Sequence, residues 1–368
     1  MDTTTHLHLL EDWFNLWHSG YQVIWENYQR WWQMASMTEL GRQEVGQTSS
    51  TLLWQEERIK LWRYNPTTPS QHPIPVVCVP SLINRHYILD LLRGRSLVAY
   101  LLSRGLNVFM LDWGNPTLRD KTVTLDTHIA GYMHRAIAAA CQQSGSPQVI
   151  LLGYCLGGTF STIYTSLFPT HIAGLVNLAG PINFNDNGIF SFLTHADWFN
   201  ADLLVDTLGN IPAPLLCQTF QMLHPTNQLL RALYLMERLD DPEYVRHYAA
   251  MQTWIFDQVD FPGELFRHTI KDLYQANKLV NNQLTINGQT ALLETITCPV
   301  LTIASPQDET APGESVAILH ERVNSQHKQL LMLNGPHIGM VAGHKAPLNL
   351  WQPLADWLVT LQENLVNI

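Results

Sequence analysis

From residue 58 onward, short uninterrupted apolar runs alternate with longer stretches whose apolar positions recur every three or four residues. "RIKLWRYNP" (Arg58 to Pro66) alternates like a strand and stops at a proline. "PVVCVPS" (Pro75 to Ser81) follows, then a helix from about Ser96, "NVFMLDWG" (Asn107 to Gly114) and a helix from about Thr124 to Gln143. Next come "QVILLG" (Gln148 to Gly153), a helix from Leu156, and "IAGLVNLAG" (Ile172 to Gly180). Continuous apolar strands separated by amphipathic helices predict a mostly parallel sheet covered by helices on both faces. The alternation lapses at Phe184 and resumes at "CPVLTIAS" (Cys298 to Ser305), "KQLLML" (Lys328 to Leu333) and a last helix from about Leu348. The stretch between is rich in aromatics and helical periodicity, with breaks at "NIPAPLL" and "DQVDFPGELF". It is expected to form a large inserted cap over 184–297, with 46–183 and 298–368 as the α/β core and 1–45 as an N-terminal helical segment.

That N-terminal segment carries Trp13, Phe14, Trp17, Tyr21, Ile24, Trp25, Tyr28, Trp31 and Trp32, largely on one helical face. Packing on the protein's own core is the ordinary role for such a face, and a subunit or apolar-surface contact is the alternative. Hydrophobic residues are 46% of the chain and charged ones 14%, which suits a buried core and no long disordered region. With 31 acidic against 21 basic residues and a formal charge of −10, nucleic acid is an unsuitable partner. No window reaches the ~18 apolar residues of a membrane span, and the N-terminus lacks signal-peptide features. Cys78, Cys141, Cys155, Cys217 and Cys298 are odd in number and without CxxC spacing, as expected of a reducing cytoplasm.

Cys155 stands apart from the other four. Gly153-Tyr154-Cys155-Leu156-Gly157 follows a strand and opens a helix, the setting of the nucleophile elbow in the α/β-hydrolase fold. Glycines two positions to either side let strand and helix approach, and the helix N-terminus supplies amides for an oxyanion hole. In this fold the acid and the histidine follow in order, each after a later strand. "IASPQDETAP" places Asp308, with Glu309 as its neighbour, and "LLMLNGPHIGMVAG" places His337, with His344 as a rival. Together they read as a thiol-based acyl-transfer site in which His337 takes the proton of Cys155 and Asp308 orients it. The Leu156 amide is expected to form half of the oxyanion hole, and the loop around Ile83 the other half. HExxH, paired CxxC and GxxxxGK[ST] motifs are absent from the sequence, so neither a metal nor a cofactor is expected.

"GYCLGGT", "PSLINRHYILDL" (Pro80 to Leu91), "RGLNVFMLDWGNP" (Arg104 to Pro116), "FNDNG", "FPGELFR", "LYQANKL" and "GPHIG" resemble, in order, the catalytic subunit of polyhydroxyalkanoate synthases. The likeness runs from about Glu44 to the C-terminus, and the short length is similar to the two-subunit classes. The resemblance implies polymerisation of (R)-3-hydroxyacyl-CoA, typically 3-hydroxybutyryl-CoA, with release of CoA. It makes Cys155 the acyl carrier, His337 the base and Asp308 the acid that helps activate the 3-hydroxyl. It further implies a homodimer, a small non-catalytic partner subunit and a place at the surface of polyester granules. Asp112 in "LDWG", Trp254 in "MQTWIFDQ" and Tyr154 are possible supporting residues, Asp112 as a structural one. Pro336 stands where a second glycine is expected, which stiffens the histidine loop. Dienelactone hydrolases resemble the elbow but are compact, without the cap or the "INRHYILDL" and "LDWG" segments. A non-catalytic granule scaffold is the remaining alternative, against which the intact Cys155, Asp308 and His337 set argues.

Overall fold

In a computed structural model the described residues are 37, 39–69, 71–223 and 225–366. The Trp-rich stretch expected to be helical thus lies almost wholly outside them. The described residues divide into two compact units, one within 46–223 and 254–366, the other within 37–45 and 225–253.

The larger unit is built on an eight-stranded sheet. Its strands are β1 (Ser50–Glu56), β2 (Ile59–Tyr64), β3 (Val76–Val79), β4 (Val108–Asp112), β5 (Val149–Tyr154), β6 (Ile172–Leu178), β7 (Val300–Ala304) and β8 (Lys328–Met332). Spatial order is β1-β2-β4-β3-β5-β6-β7-β8, with the last six parallel and β2 antiparallel to both its neighbours. Every residue of β3, β5, β6 and β7 is buried, which is why these strands read as unbroken apolar runs. Edge strand β1, mostly exposed, escaped the pattern because it has no buried face to impose an alternation.

Helices α1 (Leu97–Ser103), α2 (His134–Ser144) and α3 (Leu156–Leu167) connect the strands of the first half. Between β6 and β7 come α4 (Ile189–Leu193), α5 (Ala201–Leu208), α6 (Ala213–Leu223), α7 (Pro225–Glu237), α8 (Pro242–Phe256) and α9 (Gly263–His268). α7 and most of α8 belong to the smaller unit, and α10 (Gly313–Arg322), α11 (His337–Ala342) and α12 (Gln352–Val366) complete the larger one. This is the α/β-hydrolase fold anticipated from the sequence. In the smaller unit Met37, Leu235, Leu239 and Ala249 form a separate core, and Glu44 pairs with Arg246. Among the described residues no helix is long and apolar enough to cross a membrane.

One side chain anchors the middle of the sheet to the elbow. Asn177, fully buried in β6, donates Nδ2 to the Gly180 carbonyl at 2.9 Å and accepts the Gly180 amide at 3.0 Å. That closes the turn after β6, and a Cβ on Gly158 would lie 2.2 Å from Asn177 Oδ1, so the start of α3 and this turn fit only without side chains between them. Asn177→Ala should orphan a buried amide and a buried carbonyl and cost about 2–4 kcal/mol of unfolding free energy, measured by urea denaturation.

Candidate active site

Backbone sterics build the site before its chemistry does. Cys155, between β5 and α3, sits at φ 57°, ψ −133°, a conformation L-residues avoid. The neighbouring glycines are what permit it. A Cβ on Gly157 would lie 2.0 Å from the Val79 carbonyl oxygen, and one on Gly153 would lie 2.5 Å from the Gly157 oxygen. The loop after β3 is thereby pressed against the first turn of α3, and Cys155 is left half-buried at the sheet end. The Leu156 amide, first in α3, has no partner within the helix and is free to donate.

Asp308 follows β7 and His337 follows β8. Asp308 Oδ2 lies 2.6 Å from His337 Nδ1, while Oδ1 accepts the Thr310 and Ala311 amides, each at 2.9 Å. Both loops are tied together, for Ser305 donates Oγ–H to the Gly335 carbonyl at 2.7 Å and the Leu333 amide reaches the Ala304 carbonyl at 2.8 Å. Gly335 takes φ +146°, and Pro336 after it caps α11 at φ −70°, a value its ring already prefers, while its carbonyl accepts the Met340 amide. The Tyr154 ring stacks on the His337 ring at 5.2 Å and 24°. Burial works against a charge on His337, but the charges and hydrogen bonds of Asp308 and Cys155 outweigh it and lift the imidazole to about 10. Its bond to Asp308 occupies Nδ1, so its hydrogen bond with Cys155 falls to Nε2.

Of the other cysteines, Cys78 is buried and Cys141, Cys217 and Cys298 are half-buried. Burial pushes Cys78 and Cys298 up to about 12, and raises Cys141 and Cys217 as well.

Cys155 opens on a cavity of about 320 Å3 that Ile83, Leu156 and Thr310 also line. Its remaining wall comes largely from residues 190–220 and 261–274, among them Phe190, Phe199, Leu216, Phe220 and Phe266. Tyr274 adds a hydroxyl to this apolar wall. Its acidity is suppressed by burial and by the negative charges of Cys155 and Asp186. It stands on a π-helical turn, Thr269–Gln275, that follows α9.

Of the residues singled out from sequence, Cys155, His337, Asp308, Leu156, Ile83 and Tyr154 converge here. Asp112 does not line the cavity. Burial favours its neutral form, but bonds with His86, the Gly114 amide and the Trp62 indole hold its carboxyl well below the usual range. Trp254 also lies outside the cavity lining, and its indole donates to the Arg85 carbonyl at 2.9 Å. His344 faces Arg95 instead, and Glu309 is exposed. Tyr274 and Ser305 were missed by sequence reasoning. Tyr274 lies inside the quoted "LYQANKL", but nothing in that string tells a cavity tyrosine from a packed one.

Residues 74–343 match the alpha/beta hydrolase fold family, and residues 28–101 match the family described as the poly-beta-hydroxybutyrate polymerase (PhaC) N-terminus. The chain is 36% identical to the poly(3-hydroxyalkanoate) polymerase subunit PhaC of Allochromatium vinosum, over 86% of this chain and 89% of that one. It is likewise 36% identical to the subunit of the same name from Synechocystis sp., over 86% of this chain and 85% of that one. Among solved structures, the monoacylglycerol lipase of Paleococcus ferrophilus superposes with a TM-score of 0.54 at 18% identity, over 83% of this chain and 100% of that one. That likeness speaks for the fold alone.

If Asp308 is the main support of the His337 charge, Asp308→Asn should leave burial less opposed. The His337 imidazole, lifted to about 10 in the native protein, should then titrate far below that value, as followed by NMR of the labelled ring. An unchanged midpoint in the variant would contradict this assignment. With a raised native value, stability from this group is complete below the ordinary imidazole range (about 6.5) and is lost as pH rises through the native midpoint.

Proposed function

The chain belongs to the poly(3-hydroxyalkanoate) polymerase family, and on that footing we propose that it joins (R)-3-hydroxyacyl-CoA units, with 3-hydroxybutyryl-CoA as the monomer, into polyester with release of CoA. The observation that carries the mechanism is the half-buried Cys155 beside a His337–Asp308 pair, at the mouth of an apolar cavity.

In this reading Cys155 attacks the thioester carbonyl as a thiolate, its proton resting on His337 Nε2. The amides of Leu156 and of the loop around Ile83 meet the oxyanion, a contribution of the order of 10²–10³ in rate for each donor. CoA then leaves as its thiol, taking the proton from His337. The 3-hydroxyl of the next unit attacks the acyl group on Cys155, a C–O bond forms and the C–S bond breaks. The hydroxyl proton passes to His337, which restores the imidazolium beside the thiolate. Loading exchanges one thioester for another and is nearly neutral in energy. Transfer to a hydroxyl makes a more stable oxoester and drives chain growth.

Asp308 acts through His337 in this scheme. One of its oxygens is taken by two amides and the other by Nδ1, which supports an orienting role over direct contact with the 3-hydroxyl. Residues 190–220 and 261–274 of the insertion form the apolar wall that keeps hydrolysis from competing. No separate cofactor is needed, since CoA arrives with the substrate. A homodimer, a small non-catalytic subunit and action at the polyester granule surface complete the proposal, supported by the motifs noted above.

An assay with 3-hydroxybutyryl-CoA, reading CoA release together with insoluble polymer, tests it. Native protein should give both, and co-expression with a small partner subunit should raise the rate. Cys155→Ala and His337→Ala should lose activity by at least about 10³-fold, and CoA release without polymer would instead mark a hydrolase of the dienelactone type.

A further inference from the structure

The loop that carries Ile83 is held from outside the sheet. Residues 254–261, the end of α8 and the stretch after it, run beside it in the same unit. Asn84 and Gln258 form an antiparallel bridge, the Val259 amide donates to the Ile83 carbonyl at 3.4 Å, and the Trp254 indole donates to the Arg85 carbonyl at 2.9 Å. The far end of the same stretch is fastened to the cavity wall. Phe261 and Ile211, both lining residues, exchange backbone bonds of 2.8 and 2.9 Å, and Asp260 accepts the Ala213 amide at 2.9 Å. The stretch therefore splints the loop after β3 to the insertion.

Asp257 is the side chain through which the splint grips. Its Oδ1 accepts Arg85 Nε at 2.8 Å and its Oδ2 accepts the Tyr87 hydroxyl at 2.9 Å, so one carboxylate holds two side chains of the loop. The Asp257 side chain is 40% exposed and that of Arg85 22%, and an ion pair this open to water contributes little to overall stability. What such charge-assisted bonds supply is geometry. The loop around Ile83 must present an amide within a few tenths of an ångström, because a displacement of about 1 Å at a reacting centre costs on the order of 10²-fold in rate.

We propose that Asp257 is a positioning residue for acylation: by gripping Arg85 and Tyr87 it sets the loop around Ile83 where an amide meets the oxyanion formed when Cys155 attacks a carbonyl. This rests on the reading above of that loop as half of the oxyanion hole. Asp257 itself touches no reacting atom.

Two reactions at the same sulfur separate positioning from mere structure. Acylation of Cys155 by a p-nitrophenyl ester passes through an oxyanion, whereas alkylation by iodoacetamide displaces iodide and forms none. In Asp257→Ala, used as the full chain, the acylation rate constant should fall by about tenfold or more. The KM for the ester and the alkylation rate should stay within about twofold of the native values. Tyr87→Phe, which removes one of the two bonds and little else, should lower acylation by a few-fold with alkylation again unchanged, and it keeps the test open if the first variant folds poorly. Parallel losses in both reactions would overturn the proposal, and so would unchanged acylation. Should the native protein accept the nitrophenyl acyl group on Cys155 yet release no CoA from 3-hydroxybutyryl-CoA, the polymerase reading fails while the Asp257 comparison still stands.

Discussion

The strained backbone of Cys155 is the constraint on which the rest of the site depends. A residue at φ 57°, ψ −133° costs on the order of 1–3 kcal/mol and persists only where its surroundings over-determine it. Here they do so with bare backbone. Gly157 lies against the carbonyls of Val79 and Pro80, Gly153 against the first turn of α3, and Gly158 against Asn177, so this path from β5 into α3 leaves no room for side chains at those three positions. The strain thus projects the sulfur beyond the sheet, sets the α3 amides behind it, and brings the loop after β3 to its side. Any relaxation at Cys155 would undo all three at once.

From that point the chemistry follows by proximity. β7 and β8 are adjacent parallel strands, and their C-terminal loops deliver Asp308 and His337 to the same end of the sheet that the elbow occupies. Burial alone would strip His337 of its proton. The Asp308 carboxylate and the Cys155 sulfur reverse that balance and hold the imidazole well above its ordinary range. In the proposed reaction the apolar wall beyond has a use, because a growing aliphatic polyester is bound by apolar surface while water, which would hydrolyse a thioester on Cys155, is not.

Much of this was legible in the chain. Strands β3, β5, β6 and β7 were readable because burial on both faces leaves unbroken apolar runs, and edge strand β8 because its run of Leu and Met is apolar although largely exposed; Cys155, Asp308 and His337 were readable because each follows such a run. The topology of the fold links strand ends to function, so position along the sequence carried the information. Exposed β1 was lost for the converse reason. Phe199, Phe220 and Tyr274 belong to an insertion whose aromatic content was legible, but composition and periodicity do not say which side chains meet across a cavity. The grip of Asp257 on Arg85 and Tyr87 joins stretches 170 and more residues apart, and no local pattern encodes such a contact. Asp112 illustrates the reverse case: its "LDWG" string was conspicuous, yet its oxygens serve the Trp62 indole and the Gly114 amide outside the cavity.

The central claim is that Cys155 carries the acyl group. Rapid quenching of the full chain with 3-hydroxybutyryl-CoA at acidic pH, followed by peptide mass spectrometry, tests it most directly. The account predicts adducts on the peptide containing Cys155, growing in steps of one hydroxybutyryl unit and cleaved by neutral hydroxylamine as thioesters are. Polymer formation with no adduct on that peptide, or with the acyl group on another residue, would contradict it.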